Sequence, residues 1–326
     1  MICPSDYLEF VRQEYLADFI PGGGASVKIA VPLEGASPVA LHSSLRQAAS
    51  EEGFTYVFVD ASEARLHMID KVFHEIARQI DWDAQARRFC REALGRLRFR
   101  LPPDGSQLTL GAVAELNGFD SGELRIAFER ELQERILRDY DLAQEFRIAM
   151  IRLCLAQVDP TDYTRADREA VLAWLKGELR LISALKQATI FQKIARHNAR
   201  HMLVSLTRWL PKTGSAGLVL DLDIRRCAVP RRPPDDASVY YSKAATLDLY
   251  EVLRQLIDGT DELSSCFVFV LAAPEFLSDP GRGIDAYTAL KMRVWDEVRD
   301  RRRANPLAAL VRLSEAACDE VTGDDR

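Results

Sequence analysis

Four short apolar runs constrain the fold of this chain more than any other feature of its sequence. They occupy residues 27–31, 56–60, 218–223 and 267–271. Such runs, without regular polar alternation, are typical of strands that are covered on both faces in a parallel sheet. Helical patterns separate the runs along the chain. The sequence therefore predicts an α/β fold with these four strands in one mainly parallel sheet.

The residues before the first strand have the pattern of an amphipathic helix. Residues 5–20 place Val11, Tyr15 and Phe19 on one face, with Ser5 as the N-cap. Further helical patterns follow at residues 38–50, 65–80, 193–211, 243–258 and 286–302.

The central part of the chain has no convincing strand pattern and is helical almost throughout. We therefore expect residues 1–80 to form the N-terminal part of an α/β domain and residues 81–192 to form a helical insertion or subdomain. Residues 193–326, where strands and helices alternate again, would form the C-terminal part of the α/β domain.

Charge and cysteine content exclude some functions and indicate a compartment. The formal net charge of −6 argues against a general polyanion binder. The six cysteines are scattered without a CxxC pair, and several lie in apolar runs, so we expect reduced, mostly buried thiols. There is no secretory pattern and no apolar run near the roughly 20 residues of a membrane span. We therefore expect a cytoplasmic protein that does not associate with membranes.

The first strand leads into a turn and a helix, which is the outline of a phosphate-binding loop. A working loop reads G-x-x-x-x-G-K-[ST], in which the lysine reaches the phosphates and the hydroxyl binds magnesium. Here Gly35 is the only glycine of the segment "VPLEGASPVALHS". Pro38 offers neither an ammonium group nor an N–H, and Val39 cannot bind a metal. From these residues alone, a generic α/β connection is the favoured interpretation.

Several stretches of the chain resemble one known family. The longest reads "LRQAASEEGFTYVFVDASEARLHMIDKVFHEIARQI", and "RQEYLADFIPGGGASVKIAV" precedes it. Shorter similar pieces are "GLVLDLDI", "LYEVLRQLIDG", "FVFVLAAPEFLSD", "ALKMRV" and "NPLAALVRL". Together they resemble the BREX (bacteriophage exclusion) P-loop ATP-binding family of BrxC-like and BrxD-like phage-defence ATPases. The resemblance covers most of the chain and is weakest in the helical middle. It implies a three-layer P-loop NTPase fold of AAA-like type with a helical insertion.

The departures from this family's pattern fall on the residues that perform its chemistry. By the resemblance, Pro32 stands at the first glycine of the loop and Ser37 at the last. Pro38 takes the place of the lysine, and Val39 takes the place of the hydroxyl that binds magnesium. The loop therefore keeps its outline without its phosphate ligands.

The strand at residues 218–223 shows a similar loss. The resemblance assigns Asp223 as the metal-side carboxylate and places Ile224 at the water-activating glutamate. Asp221, two residues earlier, would lie on the same face of a regular strand as Asp223. Ala272 and Ala273 replace the polar residue at the tip of the following strand. Arg293 matches an arginine of the family, and both a nucleotide-sensing role and a structural role are open.

Together these losses predict a pseudo-ATPase with no catalytic residues. Removing one group that stabilises charge in a transition state typically costs roughly 3–4 kcal/mol, and such losses are not additive. We expect no ATP or magnesium cofactor and no metal site. The degenerate nucleotide-binding set comprises Gly35, Ser37, Pro38, Val39, Asp223, Ile224 and Arg293.

Arginines cluster at residues 87–100, 225–232 and 299–303. Solvated faces balanced by nearby acids are the simpler interpretation, and contact with DNA phosphates or an acidic partner is the functional one. The second cluster is the best candidate, because it directly follows the strand at residues 218–223. Its contact candidates are Arg225, Arg226, Arg231 and Arg232.

Two other kinds of site fit the sequence poorly. His197 and His201 would lie one turn apart on a helix, but a metalloprotease needs glutamate where Asn198 stands. A solvated basic helix face is the simpler interpretation. There is no G-x-S-x-G segment of the kind that presents a catalytic serine.

The sequence therefore predicts a non-catalytic scaffold or regulatory subunit of a prokaryotic anti-phage defence complex. Its partner would be an active ATPase, helicase or nuclease, with DNA as a further ligand. Two alternatives stay open. One is a divergent AAA-like ATPase that still binds ATP and magnesium, and the other is a DNA-binding module that uses the arginine clusters.

Overall fold

The computed structural model of the protein describes residues 1–33, 35–232, 238–294 and 305–321. The chain divides into two compact units. One is formed by Met1–Ile76 together with Ser215–Arg326, and the other by Ala77–Gly214. The sequence places the boundaries of the helical part after residues 80 and 192. The second unit of the structure extends further, to Gly214, and so includes one more helix at its C-terminal end.

The first unit contains a five-stranded parallel sheet. Its strands are β1 (Ala25–Pro32), β2 (Thr55–Asp60), β3 (Leu218–Asp223), β4 (Cys266–Leu271) and β5 (Leu310–Leu313), in the spatial order β2-β3-β4-β1-β5. The four predicted strands therefore lie in one parallel sheet, as expected. β5 was not predicted, because four residues are too few to show a pattern.

The helices of the described residues are α1 (Pro4–Phe10), α2 (Pro38–Glu51), α3 (Ile69–Gln79), α4 (Trp82–Arg96), α5 (Leu110–Asn117), α6 (Ser121–Leu132), α7 (Gln144–Val158), α8 (Asp162–Leu175), α9 (Ala199–Lys212), α10 (Lys243–Asp258), α11 (Glu275–Ser278), α12 (Thr288–Lys291) and α13 (Ala316–Val321). Two helices continue as π-helix, at Val11–Phe19 and Gln133–Leu137. Short 3₁₀ turns lie at Ile182–Leu185, Arg225–Ala228 and Ile284–Ala286.

The predicted helix at residues 5–20 changes its winding after Phe10. A hydrogen bond from Ile20 N to Tyr15 O spans five residues, as in a π-helix. The wider turn shifts the phase of the buried face, so Tyr15 is buried while Phe19 is 48% exposed. The prediction that Phe19 shares the buried face is therefore wrong.

One face of the sheet carries the core of the first unit. Buried side chains of α1, its π-helical continuation and α2 pack against alternate residues of β3, β4 and β5. They include Tyr7, Leu16, Leu41, Leu45, Phe267, Phe269, Leu271, Val311 and Leu313. Each large side chain buried in this way contributes about 1.5–3 kcal/mol to stability.

Helices also cover the opposite face of the sheet. α10 contacts β1, and its buried side chains lie outside the cluster formed by α1 and α2. A parallel sheet between two helical layers is the three-layer, P-loop NTPase-like architecture that the resemblance implies.

β2 corrects one sequence expectation. Its apolar run predicts a strand that is covered on both faces, but β2 is the outermost strand of the described order. Val57 and Val59 are buried, whereas Tyr56, Phe58 and Asp60 on the other face are only partly buried. Because β2 lies at the end of the described strand order, the face that carries Tyr56, Phe58 and Asp60 is covered less completely than the faces of the central strands.

The second unit is built from helices, and no residue between 77 and 214 lies in a strand. Aromatic rings form its centre. Phe89 stacks on Trp209 with ring centroids 5.0 Å apart, and Phe146 meets Trp209 edge-on at 6.4 Å. All three side chains are fully buried, so the unit has a core of its own.

Four of the six cysteines are free thiols, as predicted, and two are not. Cys90, Cys154, Cys227 and Cys266 are free and buried, but Cys3 and Cys318 form a disulfide. The prediction of reduced thiols is therefore wrong for this pair. A bridge between Ile2 and Leu313 at the edge of β5 brings the two distant segments together. Within the described residues, no helix combines the length and apolarity needed to cross a bilayer.

Candidate functional site

The loop after β1 ends in a capped helix start. Ser37 is the N-cap of α2, and its Oγ accepts a hydrogen bond from Ala40 N at 3.4 Å. Pro38 is the first residue of the helix, a position where proline is favoured because its fixed backbone suits the first turn. Val39 is 75% exposed. Ser37 and Pro38 thus serve the start of the helix.

This loop does not suit a polyphosphate. A phosphate-binding loop offers free backbone N–H groups. Here Leu33 N donates to Leu313 O at 2.7 Å, and Ala36 N donates to Leu33 O at 3.1 Å. Gly35 adopts φ +79°, and a Cβ added there would lie 3.0 Å from Glu315 Cβ. The space beside the glycine is therefore taken by an acidic residue, which repels anions.

The second turn of α2 presents a histidine to the carboxylates of β3. His42 Nδ1 lies 2.7 Å from Asp221 Oδ2, and His42 Nε2 lies 3.3 Å from Asp223 Oδ2. The two aspartates therefore share one face of β3. From β2, the hydroxyl of Tyr56 donates to Asp221 Oδ2 at 2.6 Å.

These contacts keep the histidine charged. Burial alone would lower the pKa of His42, but hydrogen bonds to Asp221 and Asp223 outweigh it and raise the pKa to about 9. His42 is therefore an imidazolium at neutral pH, and both ring nitrogens donate. With both nitrogens engaged, His42 is placed as a charge partner of Asp221 and Asp223.

Asp223 receives a second cation from the turn after β3. Arg225 Nε lies 3.0 Å from both carboxylate oxygens, and its Nη2 lies 2.6 Å from Oδ2. Burial opposes the charge of Asp223, but hydrogen bonds from His42 and Arg225 lower its pKa to about 2. The carboxylate is therefore ionised and already neutralised from within the chain.

We call His42, Tyr56, Asp221, Asp223 and Arg225 the His42 cluster. A divalent metal at Asp223 would have to displace two cations that hold the carboxylate by charge-assisted hydrogen bonds. In the part of the chain that the structure describes, no group of three or more metal-ligating side chains is placed to hold an ion. In this arrangement the carboxylate of Asp223 and the backbone of the loop after β1 are both engaged by other groups of the chain.

A groove of about 800 Å³ opens beside the cluster, on the accessible face of β2. One wall is α2, and the opposite side is formed by the ends of β2 and β3. Its lining residues are Val39, His42, Ser43, Arg46, Gln47, Ser50, Glu51, Phe58, Asp60, Asp223 and Arg225. The lining mixes acids, bases and apolar groups, and the guanidinium of Arg46 lies over the ring of Tyr56 at 5.0 Å.

The other residues aligned with nucleotide chemistry have structural surroundings. Ile224 is buried, and its N–H donates to Leu271 O at 2.9 Å. Ala272 N donates to Ala30 O at 2.9 Å, which extends the pairing of β4 with β1. Arg293 holds Asp258 with two bonds of 2.8 and 2.7 Å. These contacts support the structural alternative for Arg293.

The arginine candidates after β3 fall into two groups. Arg225 is bound to Asp223, and Arg226 Nε donates to Val239 O at 3.3 Å. Arg231 and Arg232 are exposed. Their role in binding DNA or a partner stays a prediction.

In the part of the chain that the structure describes, the other two arginine clusters, at residues 87–100 and 299–303, give no evidence of a binding site. Arg91 pairs with Asp104 and Arg96 with Glu131, as expected for balanced solvated faces. The arginines at 299–303 lie outside the described residues.

His197 and His201 do not lie one turn apart on a helix, because α9 begins only at Ala199. Asn198 Oδ1 accepts from Ala195 N at 2.8 Å and so supports a turn before the helix. The expectation that the two histidines share a helix face is therefore wrong.

The sequence did not reveal His42 or Tyr56 as members of a site. A signal was present in β3, because two aspartates in an otherwise apolar buried strand require cationic or hydrogen-bonding partners. Which residue supplies them depends on how α2 lies across the sheet.

Comparison with known proteins gives one match. The family described as BREX system ATP-binding protein BrxC/D matches residues 16–322 of the chain. The matched region contains the whole His42 cluster, all of the second compact unit and most of the first. No curated protein and no solved structure matches the chain.

Proposed function

The chain belongs to the family of BREX system ATP-binding proteins BrxC/D, and from this premise we propose that it is a non-catalytic subunit of a prokaryotic anti-phage defence complex. It works in the cytoplasm as a scaffold or regulator beside an active ATPase, helicase or nuclease. It neither hydrolyses ATP nor depends on bound magnesium.

The observation that carries this proposal is the His42 imidazolium between Asp221 and Asp223. The carboxylate that the resemblance assigns to the metal is held by His42 at 3.3 Å and by Arg225 at 2.6 Å. Magnesium binds through oxygen ligands that are free to coordinate it. Breaking a buried ion pair costs about 3–5 kcal/mol, which opposes metal entry.

The loop supports the same conclusion independently. Pro38 cannot supply an ammonium group, and Glu315 lies against Gly35. A site that lacks both the phosphate ligands and the metal ligands has no means of stabilising the charge of a transferring phosphoryl group. The fold itself is held by the buried core, which the loop contacts only through the partly buried Ala36.

The test is phosphate release and calorimetric titration with ATP and magnesium. We expect the wild-type protein to show neither turnover nor binding. Replacing Pro38→Lys and Val39→Ser restores two loop residues but leaves the His42 cluster in place, so this variant should also be inactive. Magnesium-dependent turnover that Asp223→Asn abolishes and the exposed Asp248→Asn retains would overturn the proposal.

The scaffold role is tested by purifying the protein from cells that carry the intact defence system. We expect a stable complex with at least one other component of that system. Arg231→Glu with Arg232→Glu should weaken the complex, because both side chains are exposed. Arg165→Glu on α8 is the matched control for a charge change at an exposed arginine. If the protein is isolated alone and its deletion leaves defence unchanged, the scaffold role is wrong.

Salt dependence separates a DNA ligand from a protein partner. Binding to DNA should weaken steeply with added salt, because arginine contacts to phosphates release counterions. A largely apolar protein contact should change far less. We expect the second behaviour for the main contact, because the chain carries a net charge of −6.

A further inference from the structure

A disulfide joins two segments that are far apart in the sequence. Cys3 precedes α1 and Cys318 lies in α13, with a separation of 315 residues. Cys3 is 4% exposed, whereas Cys318 is only partly buried. The remaining free cysteines, Cys90, Cys154, Cys227 and Cys266, are buried. The pair is therefore distinct from the other cysteines in position, and Cys318 is also the more accessible of its two sulfurs.

The residues before Cys318 contact two segments at once. Ile2 N donates to Arg312 O at 3.0 Å, and Ser314 N donates to Ile2 O at 3.0 Å. On the other side, Leu313 O accepts from Leu33 N at 2.7 Å. The segment 312–318 thus connects the start of the described chain with the loop after β1.

This segment also packs against the loop at Gly35. The Cβ and Cγ of Glu315 lie 3.0 and 3.1 Å from where a Cβ on Gly35 would be. Glu315 is three residues from the disulfide, so the covalent bond restricts how far it can leave the loop. The carboxylate of Glu315 lies 3.5 Å from Cys318 Sγ.

We propose that Cys3–Cys318 is a reversible redox site whose substrate is a dithiol reductant, and that its state controls the cover over Gly35 in the loop after β1. In the oxidised protein, the disulfide holds Glu315 against Gly35. In the reduced protein, the segment 314–318 leaves the loop and exposes it. The inference does not depend on whether the protein hydrolyses ATP.

The chemistry is an ordinary thiol–disulfide exchange. One thiolate of the dithiol attacks Cys318 Sγ, the more accessible sulfur, and the bond to Cys3 Sγ breaks. Cys3 leaves as a thiolate beside Ser5 Oγ at 3.0 Å, which donates a hydrogen bond to it, and it then takes up a proton. The second thiol of the reductant attacks the mixed disulfide and releases Cys318. The reductant becomes a disulfide, and the protein gains two electrons and two protons.

The fold can tolerate both states. The apolar cluster that holds the sheet does not include Cys3 or Cys318. In a reducing compartment, disulfides are usually transient and redox-sensing. A bond at the edge of the sheet, outside this cluster, can therefore be made and broken without unfolding the unit.

Thiol counting and amide hydrogen exchange test this inference. Alkylation and intact-mass measurement should find four accessible thiols in denatured oxidised protein and six after treatment with dithiothreitol. Exchange in peptides that cover residues 33–37 and 312–318 should be about tenfold faster in the reduced protein. Peptides of α7, in the second unit, are the internal reference and should not change.

A variant with Cys3→Ser and Cys318→Ser provides the matched control. Without reductant it should exchange like the reduced wild-type protein, and dithiothreitol should then have no further effect on it. The inference is overturned if denatured protein shows six thiols even after mild oxidation with oxidised glutathione. It is also overturned if the oxidised and reduced proteins exchange equally at residues 33–37.

Discussion

His42 Nδ1 lies 2.7 Å from Oδ2 of Asp221, a carboxylate that is fully buried in the central part of the sheet. The contact joins the second turn of α2 to the middle of β3, across the face that carries the core. It is an ion pair, because the pKa of His42 is raised to about 9. The position of α2 on the sheet is therefore stabilised by the positive charge of His42 beside the buried carboxylate of Asp221.

Replacing His42→Ala should destabilise the protein strongly. The change leaves the carboxylate of Asp221 buried with only the hydroxyl of Tyr56 as a described partner. Removing one partner of a buried ion pair costs about 3–5 kcal/mol. Urea unfolding followed by circular dichroism measures the loss. Ser44→Ala, an exposed change on the same helix, should stay within about 0.5 kcal/mol of wild type, and equal effects of the two changes would contradict the ion pair.

The same histidine should make stability depend on pH. Its pKa is raised from 6.5 to about 9 on folding, so the folded state binds the proton more tightly than the unfolded state. The contribution, about 3 kcal/mol, is complete below pH 6.5 and is lost as pH rises through 9. Urea midpoints should therefore fall between pH 6.5 and 9.5. The decline should be much smaller in His42→Ala, and an unchanged decline in that variant would assign it to another group.

Lys28 should act in the opposite direction. It is 4% exposed in β1, and its Nζ donates to Leu307 O at 2.5 Å and to Ala308 O at 3.1 Å. Burial lowers the pKa of Lys28 from 10.5 to about 8, so the unfolded state binds the proton more tightly. Its contribution to stability should therefore rise between pH 8 and 10.5. Lys28→Met should make the loss of stability above pH 8 steeper, and exposed Lys243→Met should leave it unchanged.

Gly35→Ala and Gly53→Ala together should separate the cost of a strained backbone from the cost of a steric clash with Glu315. Gly35 and Gly53 have nearly the same backbone, with φ +79° and +76°, but a Cβ at Gly53 would meet nothing within 4 Å. Forcing alanine into this region costs about 1 kcal/mol by strain alone. We expect Gly53→Ala to show that cost in thermal unfolding and Gly35→Ala to exceed it, because Glu315 must also move. Equal losses would mean that Glu315 does not press on the loop.

The sheet was predictable and its edges were not. Apolar runs such as 218–223 have one physical explanation, burial on both faces, and the structure confirms it for β3. The run at 56–60 is also mostly apolar, yet β2 is the outermost described strand, because the composition of a run does not specify which strand lies at the end of the sheet. β5 has four residues, and its place beside β1 depends on contacts made by Ile2 and Leu33.

The His42 cluster depends on three-dimensional arrangement in the same way. The alternation of Asp221 and Asp223 could be read from the sequence, including their shared face. That His42 and Arg225 neutralise them could not, because one comes from a helix nearly two hundred residues earlier. Arg225 was grouped with Arg231 by composition, although its neighbour Asp223 binds it.

The order of strands also has a consequence for synthesis of the chain on the ribosome. β1 pairs with β4 and β5, and β2 pairs with β3, so β1 and β2 are both complete long before either has its neighbour. The whole helical unit is synthesised between β2 and β3. At about 5–20 residues per second, the time from the completion of β1 to the synthesis of β4 is on the order of 10–40 s. During that time the two nascent strands have unpaired edges. A chaperone that shields short apolar segments, or rapid folding of the helical unit, would protect the growing chain from aggregation.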